Sequence, residues 1–249
     1  VGLAGLGFDY NFKIYWRNRG FRKVLSLLPA RSVDQGMDYV VSLVEVNLAS
    51  RLADGTVRAY QQALTLHLMP INLIGVAISN AAFPKLTEHL GEGRDDLFQK
   101  DLRSLLRIIF WMALPVAVVI FFTRGYVVHF IRNGGNQLIA GILGCLVVAI
   151  LFRTIYHMAA RVFYARQDTK TPLYISIFSI SLNIILAIVL SMVLKMGAYG
   201  LAWAQSTVAV LEVVILLVVM NRQMPKLFDM TFMRAIFRMI IAGIITGVV

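Results

Sequence analysis

RVFYARQDTKTPLYIS, residues 161–176, is a polar, turn-forming stretch between two long apolar runs. Asp168 and Thr169 are residue types that cap the N-terminus of a helix, and Pro172 is of the type favoured in a first helical turn. Each flanking run holds the roughly 20 apolar residues that a helix needs to cross the hydrocarbon core of a bilayer. The stretch therefore predicts a tight hinge between two antiparallel membrane-spanning helices.

The whole chain has the composition of an all-α, polytopic membrane protein. Of its 249 residues, 59% are hydrophobic and 15% are charged, with a mean hydropathy of +0.74. Soluble domains, in contrast, carry about 25% charged residues. Residues 24–222 are predicted to form a six-helix transmembrane bundle, and its spans lie at about 24–52, 57–86, 105–122, 138–160, 172–194 and 201–220. A charged, amphipathic connection (87–105) is predicted between the second and third spans.

The two ends of the chain differ from the bundle. Residues 1–23 are basic and aromatic, as expected of a linker at a membrane surface. Residues 223–249 hold a basic link and the start of a further helix, whose apolar run is too short to span. Since the chain also begins without a methionine, we expect it to be a fragment of a longer protein.

The basic residues alternate along the chain. Lys and Arg number five, two, five, two, three, one and four in the seven successive connections, beginning with the N-terminal linker. Because cytoplasmic loops carry the excess of Lys and Arg, the linker and the 161–176 hinge are predicted to be cytoplasmic. The alternation accounts for most of the net charge of +11, so nucleic acid is not expected as a partner. The single cysteine, Cys145, allows no internal disulfide.

Four ionisable residues lie on one face of the first predicted span. At about 100° per residue, Arg31, Asp34, Asp38 and Glu45 fall within an arc of about 60°. Side chains of this kind are too costly to face lipid, so we predict that they line a water-filled cavity. In the alternative interpretation, an Arg31–Asp34 pair holds helices together. Glu45 is the best candidate for an ion or proton site.

Further polar residues interrupt the other spans. Cavity-lining positions are predicted in the second span, around the bend that Pro70 permits, at Gln62, Thr65, His67 and Asn72. His67 alone is also consistent with a packing histidine, and a buried Asn183 with hydrogen bonding between helices. Arg153, in the fourth span, needs an acidic partner or a polar cavity. Gln205 and Glu212 are the polar insertions of the sixth span.

Motifs of catalysis are missing from the sequence. It contains no nucleophile elbow, HExxH motif or phosphate-binding glycine loop. Asp34 and Asp38 have an i, i+4 spacing that could hold a metal ion, which leaves an enzyme acting on polyprenyl lipids as an alternative. Arg31 lies one turn away, however, and no second acidic cluster faces the pair. We therefore predict a transporter with no metal site and no catalytic residues.

Several motifs are similar to those of one family. The hinge stretch, LNI (182–184) and GAYGLAWAQS (197–206) resemble segments of the MurJ/MviN family of lipid II flippases, as does MPINLIGVAISNAAFPKL (69–86). That family falls within the multidrug/oligosaccharidyl-lipid/polysaccharide exporter superfamily. The resemblance implies fourteen spans, arranged as two six-helix bundles around a central cavity. This chain would then be the second bundle and the start of the thirteenth span.

The resemblance also implies roles for particular residues. Thr65 stands where the family carries a cavity arginine. A sodium site found in some members corresponds to Glu45, Asn183, Ala187 and Gln205; here Ala187 lacks the acid, and Gln205 has an amide in place of a hydroxyl. Glu45, Asn183 and Gln205 are therefore the predicted ligands of a Na⁺ or H⁺ coupling ion, with no other cofactor expected.

The function implied is translocation of lipid II across the bacterial cytoplasmic membrane by alternating access. The implied partners are the polyprenyl-pyrophosphate-linked glycan, membrane lipids and an N-terminal bundle of the same protein. Three alternatives remain open from the sequence: export of another lipid-linked glycan, export of a cationic small molecule, and a degenerate flippase-like scaffold.

Overall fold

The computed structural model describes residues 36, 39–131, 136–224, 227–228 and 230–248. Every regular element in these residues is a helix. The helices are α1 (Tyr39–Ser50), α2 (Thr56–Pro70), α3 (Ala77–Gly91), α4 (Asp95–Ile131), α5 (Gln137–Ala165), α6 (Lys170–Ile188), α7 (Ala198–Gln223) and α8 (Met230–Val248). A π-helical turn, Ile71–Val76, joins α2 to α3, and a second, Val189–Val193, extends α6.

Five helices among the described residues are long and apolar enough to cross a membrane. They are Thr56–Gly91, Asp95–Ile131, Gln137–Ala165, Lys170–Val193 and Ala198–Gln223. These correspond to the second to sixth predicted spans, which confirms the all-α, multi-pass class. Of the first predicted span (24–52), the structure describes residues 36 and 39–52, which include α1. The linker 1–23 lies outside the described residues.

The connection between the second and third spans is helical, which corrects the predicted boundaries. Only residues 92–94 lie outside a helix, because α3 runs to Gly91 and α4 begins at Asp95. The charged segment was predicted to be an amphipathic connection between spans, and it is amphipathic: Phe98 and Leu102 are buried in one apolar cluster with Leu86 of α3. An amphipathic first section with one apolar face therefore belongs to the same 37-residue helix as the span.

The predicted hinge between α5 and α6 is observed. Gln167, two residues after the end of α5, has a positive φ of 61°. The carboxylate of Asp168 accepts hydrogen bonds from the backbone N–H of Thr171 (3.1 Å) and from its hydroxyl (2.6 Å), so Asp168 caps α6 as predicted. Thr169 precedes the helix but makes no capping hydrogen bond through its side chain, so that part of the prediction is wrong. Pro172 lies in the first turn.

The central helix of the bundle is α5, which packs against α2, α4 and α7. Two separate apolar cores surround it. The hinge-side core lies near the 161–176 hinge and is centred on Leu102, Met158, Phe163 and Met220. The far-side core lies at the other end of the helices and is centred on Tyr60, Ile142, Leu146 and Leu201. Between them α5 carries Arg153, so a polar layer separates the two cores at mid-height.

Two glycines permit close approach of backbones, Gly75 beside this layer and Gly200 at the far-side core. A Cβ added to Gly75, in the first π-helical turn, would lie 2.9 Å from the carbonyl oxygen of Thr154 in α5. A Cβ added to Gly200 would lie 2.6 Å from the carbonyl carbon of Leu190. These contacts hold α2 and α3 against α5, and α7 against the end of α6.

Candidate functional site

A cavity of about 350 Å³ occupies the polar layer between the two apolar cores. Its walls come from α1, α2, the first π-helical turn, α5, α6 and α7. The polar or ionisable residues that line it are Ser42, Glu45, His67, Asn72, Arg153, Tyr156, His157, Ser176, Ser179, Asn183, Gln205 and Glu212. Six of the eleven residues predicted for the site are in this set: Glu45, His67, Asn72, Arg153, Asn183 and Gln205.

Glu45 projects from α1 and is only 1% exposed. Its Oε2 atom accepts two hydrogen bonds, from the Tyr60 hydroxyl (2.9 Å) and from Nε2 of Gln205 (2.8 Å). Its Oε1 atom is buried and has no hydrogen-bond partner among the described residues. The carboxylate therefore joins α1, α2 and α7 through one oxygen and leaves the other available.

Arg153 of α5 finds its acidic partner in Glu212 of α7. Nη1 of Arg153 donates to Oε2 of Glu212 at 2.8 Å, and Glu212 is 3% exposed. The guanidinium also lies over the ring of Tyr156, 5.6 Å from its centroid. The sequence indicated that Arg153 needs an acid but gave no means of choosing one 59 residues away. The pairing depends on how α5 and α7 pack.

Asn183 and the histidines complete the wall. Oδ1 of Asn183 is buried and, within the described residues, has no hydrogen-bond partner. Nδ1 of His67 donates to the carbonyl oxygen of Leu64 at 2.8 Å, which orients the ring toward the cavity from α2. His157, one turn after Arg153, lies in the same wall. Neither His157 nor Tyr60 was predicted from the sequence, although an ionisable ring inside an apolar span is a usable signal for His157.

Two predicted residues on α2 do not line the cavity. Thr65 is exposed, and its hydroxyl donates to the carbonyl oxygen of Gln61 in its own helix, at 2.9 Å. Gln62 is half-buried outside the cavity wall. Only one face of α2 points toward the cavity, and that face carries His67. Three further predicted residues lie outside the described residues: Arg31, Asp34 and Asp38.

The arrangement suits the binding of a small positive charge. Glu45 Oε1 and Asn183 Oδ1 are two buried acceptor oxygens in one cavity, each without a donor among the described residues. Buried acceptors of this kind require a proton, a cation or a water molecule as a partner. Ala187, which corresponds to a family acid, is buried in the far-side core and adds no ligand.

The chain is similar to known proteins along its whole length. The family model described as lipid II flippase MurJ matches residues 1–249. The probable lipid II flippase MurJ of Borreliella burgdorferi is 23% identical over 203 residues, which cover 79% of this chain and 40% of that protein. The chain spans about half the length of the curated relatives it matches.

Two solved structures have the same fold. One is the lipid II flippase MurJ in an inward closed conformation, with a TM-score of 0.73 and 22% identity, over 96% of this chain and 50% of that one. The other is an outward-facing multidrug resistance MATE family transporter of the MOP superfamily, with a TM-score of 0.75 and 11% identity, over 87% of this chain and 50% of that one. Because the family model matches every residue, this chain belongs to the lipid II flippase MurJ family.

Proposed function

We propose that this chain forms one lobe of a flippase for a lipid-linked glycan, with lipid II as its cargo. The observation that carries the proposal is the polar cavity at mid-height between two apolar cores. A charged glycan head group cannot enter hydrocarbon unaided, because burial of unpaired charge is prohibitively costly. A cavity lined by polar groups lowers that barrier while the polyprenyl tail stays in the lipid.

The other bundle of the full-length protein would complete the cavity. In this lobe Arg153 is engaged with Glu212, and Thr65 lies outside the cavity. The pyrophosphate would therefore be held with help from groups of the N-terminal bundle or from Arg31. Alternating access would come from rocking of one bundle against the other, and Pro70 with its π-helical turn and Pro115 would permit the helices to bend.

A coupling ion, H⁺ or Na⁺, would bind at Glu45 together with Asn183 and Gln205. The acceptors without partners on Glu45 and Asn183 support this site. Gln205 already donates to Glu45, so it would orient the carboxylate and offer its amide oxygen to an ion. A proton needs one acceptor only, whereas Na⁺ needs several oxygens around it. The cavity wall carries the acceptor oxygens of Glu45 and Asn183 and also the hydroxyl of Ser179.

The protein would act in the bacterial cytoplasmic membrane as a transporter, with the N-terminal linker and the 161–176 hinge on the cytoplasmic side. The alternation of Lys and Arg supports this orientation. Its membrane-lipid contacts would be those of a multi-pass protein, and the second lobe would be its main protein partner.

Complementation tests the proposed cargo. The full-length gene is expressed in a strain depleted of its own lipid II flippase, and growth and lipid II exposure on the outer face are measured. We expect rescue. Failure to rescue at normal membrane abundance would contradict lipid II as the cargo, and a gain of resistance to cationic drugs instead would favour the drug-exporter alternative.

Proteoliposomes test the coupling site. Glu45→Gln replaces the carboxylate by a neutral amide of the same shape, so we expect translocation by the full-length protein to lose its dependence on pH and on Na⁺. Glu88→Gln, at an exposed carboxylate on α3, is the matched control and should behave as the unmodified protein. Retention of the full ion dependence by Glu45→Gln would exclude Glu45 as the site.

A further inference from the structure

A second feature, on the outside of the bundle, is an apolar groove of about 480 Å³ between α4 and α8. Trp111, Pro115 and Val118 form part of its α4 wall, and Ala235 and Gly243 part of its α8 wall. Apart from one residue, every side chain that lines the groove is apolar. The exception is Arg238, in the third turn of α8.

Arginines gather at the hinge-side mouth of this groove. Arg107 lies one helical turn before Trp111 on α4, and Arg234 lies one turn before Arg238 on α8. The guanidinium of Arg107 lies over the ring of Phe232, 5.6 Å from its centroid, which places Arg107 beside the first turn of α8. Arg107 and Arg238 therefore flank the hinge-side end of the groove, and Arg234 lies one helical turn from Arg238 on the same helix.

These arginines lack acidic partners in the described part of the chain. None of the ion pairs found there includes Arg107, Arg234 or Arg238. Nε of Arg107 is buried and without a hydrogen-bond partner among the same residues. Arg107 and Arg238, with Arg234 one turn away, offer this end of the groove donors suited to a phosphate, because a guanidinium matches phosphate geometry.

We propose that this groove binds an anionic glycerophospholipid, with its phosphate against Arg107, Arg234 and Arg238 and one acyl chain along the groove. The alternation of basic residues predicts that the mouth faces the cytoplasmic leaflet, where anionic lipids are concentrated. Trp111 lines the groove one helical turn after Arg107 and is 63% exposed, and tryptophan is enriched at membrane–water interfaces. The site is separate from the central cavity and does not depend on the cargo proposed above.

Trp111 provides a direct reporter of the bound lipid. The full-length protein is placed in phosphatidylcholine vesicles with a small fraction of either brominated phosphatidylglycerol or brominated phosphatidylcholine. The emission of Trp111 is obtained as the difference between the unmodified protein and Trp111→Phe. We expect brominated phosphatidylglycerol to quench Trp111 at a lower mole fraction than brominated phosphatidylcholine does. The difference should be about fivefold for each arginine that contacts the phosphate. Equal quenching by the two lipids, or no quenching by either, would overturn the proposal.

Variants separate a specific site from general surface charge. Arg107→Gln with Arg238→Gln should abolish the preference for the anionic lipid. Arg94→Gln with Arg222→Gln removes the same charge from exposed positions on the same predicted side of the membrane and should leave the preference unchanged. Loss of the preference in both pairs would show that only surface potential acts, and would refute the site.

A third variant tests the groove itself. Ala235→Phe places a ring between the walls without altering charge, so quenching of Trp111 by both brominated lipids should fall. Unchanged quenching would place the lipid elsewhere and contradict the proposal. Displacement of the brominated lipid by a polyprenyl phosphate at an equal mole fraction would assign the groove to a prenyl chain and overturn the choice of a glycerophospholipid.

Discussion

The ion pair between Arg153 and Glu212 lies between two apolar cores, where each charge depends on the other. Glu212 is almost completely buried, and Arg153 reaches it at 2.8 Å across the α5–α7 contact. A buried ion pair is weak evidence for net stability, because both charges lose their hydration. Loss of one partner is nonetheless severe, since it leaves an uncompensated charge in a medium of low polarity.

Arg153→Gln should therefore lower the free energy of unfolding of the full-length protein by about 3–5 kcal/mol. Arg153→Gln combined with Glu212→Gln should cost clearly less, because the two amides can bond to each other. Thermal or denaturant unfolding in detergent measures both. Arg94→Gln, which breaks an exposed pair with Glu92, should change stability by no more than about 1 kcal/mol. If the double variant is as unstable as Arg153→Gln, the loss of stability does not come from breaking the Arg153–Glu212 pair.

Single residues also show where prediction from sequence ends. The need of Arg153 for an acid follows from its position inside an apolar run, but Glu212 could be chosen only from the packing of α5 on α7. Glu45, Asn183 and Gln205 were grouped through family resemblance, and the structure brings them to one cavity. Thr65 was assigned to the cavity from its position relative to Pro70, and the rotation of α2 turns it outward.

Among the elements, the hinge between α5 and α6 depends on one carboxylate. Partial burial raises the pKa of Asp168, but the hydrogen bonds from Thr171 and Gln223 outweigh it and hold the pKa below its usual value. A carboxyl group whose pKa is lower in the folded state contributes stability above the unfolded pKa. That contribution is lost as the pH falls through the folded pKa.

Asp168→Ala should thus cost about 1 kcal/mol at neutral pH, as for loss of an N-terminal helix cap. The difference from the unmodified protein should shrink as the pH falls below about 4, the ordinary pKa of aspartate. Melting temperatures measured across this range test it. Thr169→Ala is the control, because the Thr169 side chain makes no capping bond, and it should be nearly neutral. A penalty independent of pH would contradict the assignment.

The contact between α7 and the end of α6 depends on the small volume of Gly200. Gly200→Ala forces a Cβ against the backbone of Leu190, so we expect a loss of about 1–3 kcal/mol, typical of overpacking. Gly91→Ala is the matched control, since nothing lies within 4 Å of its added Cβ. It should be neutral or stabilise by up to about 1 kcal/mol. Equal free energies of unfolding for the two variants would contradict the close contact between Gly200 and the backbone of Leu190.

Helix positions were largely predictable because hydrophobicity is a local property of the sequence. Each of the five described spans contains most of a predicted apolar run. The start of α4 was missed, since its charged residues suggested a connection between spans. Its apolar face, which includes Phe98 and Leu102, becomes significant only when it packs against α3.

At the scale of the whole molecule, the charge alternation predicts the orientation in the membrane. In a cysteine-free background of the full-length protein, Lys195→Cys should react with a membrane-impermeant maleimide in intact cells. Arg166→Cys, at the end of α5, should react only after permeabilisation. Both positions are exposed, so accessibility to the reagent depends on the side of the membrane alone. The reverse labelling pattern would invert the orientation and move the arginine-rich groove mouth to the outer leaflet.

The helix α4 is longer than the bilayer is thick. Its 37 residues extend about 55 Å, against about 30 Å of hydrocarbon. The charged residues at its start, including Asp95 and Asp96, are exposed, so we expect the surplus to protrude into water on the hinge side. Any change in the tilt of the membrane-spanning part therefore produces a larger displacement at the protruding end of the helix. A dye attached to that end would signal rearrangements of the bundle without entering it.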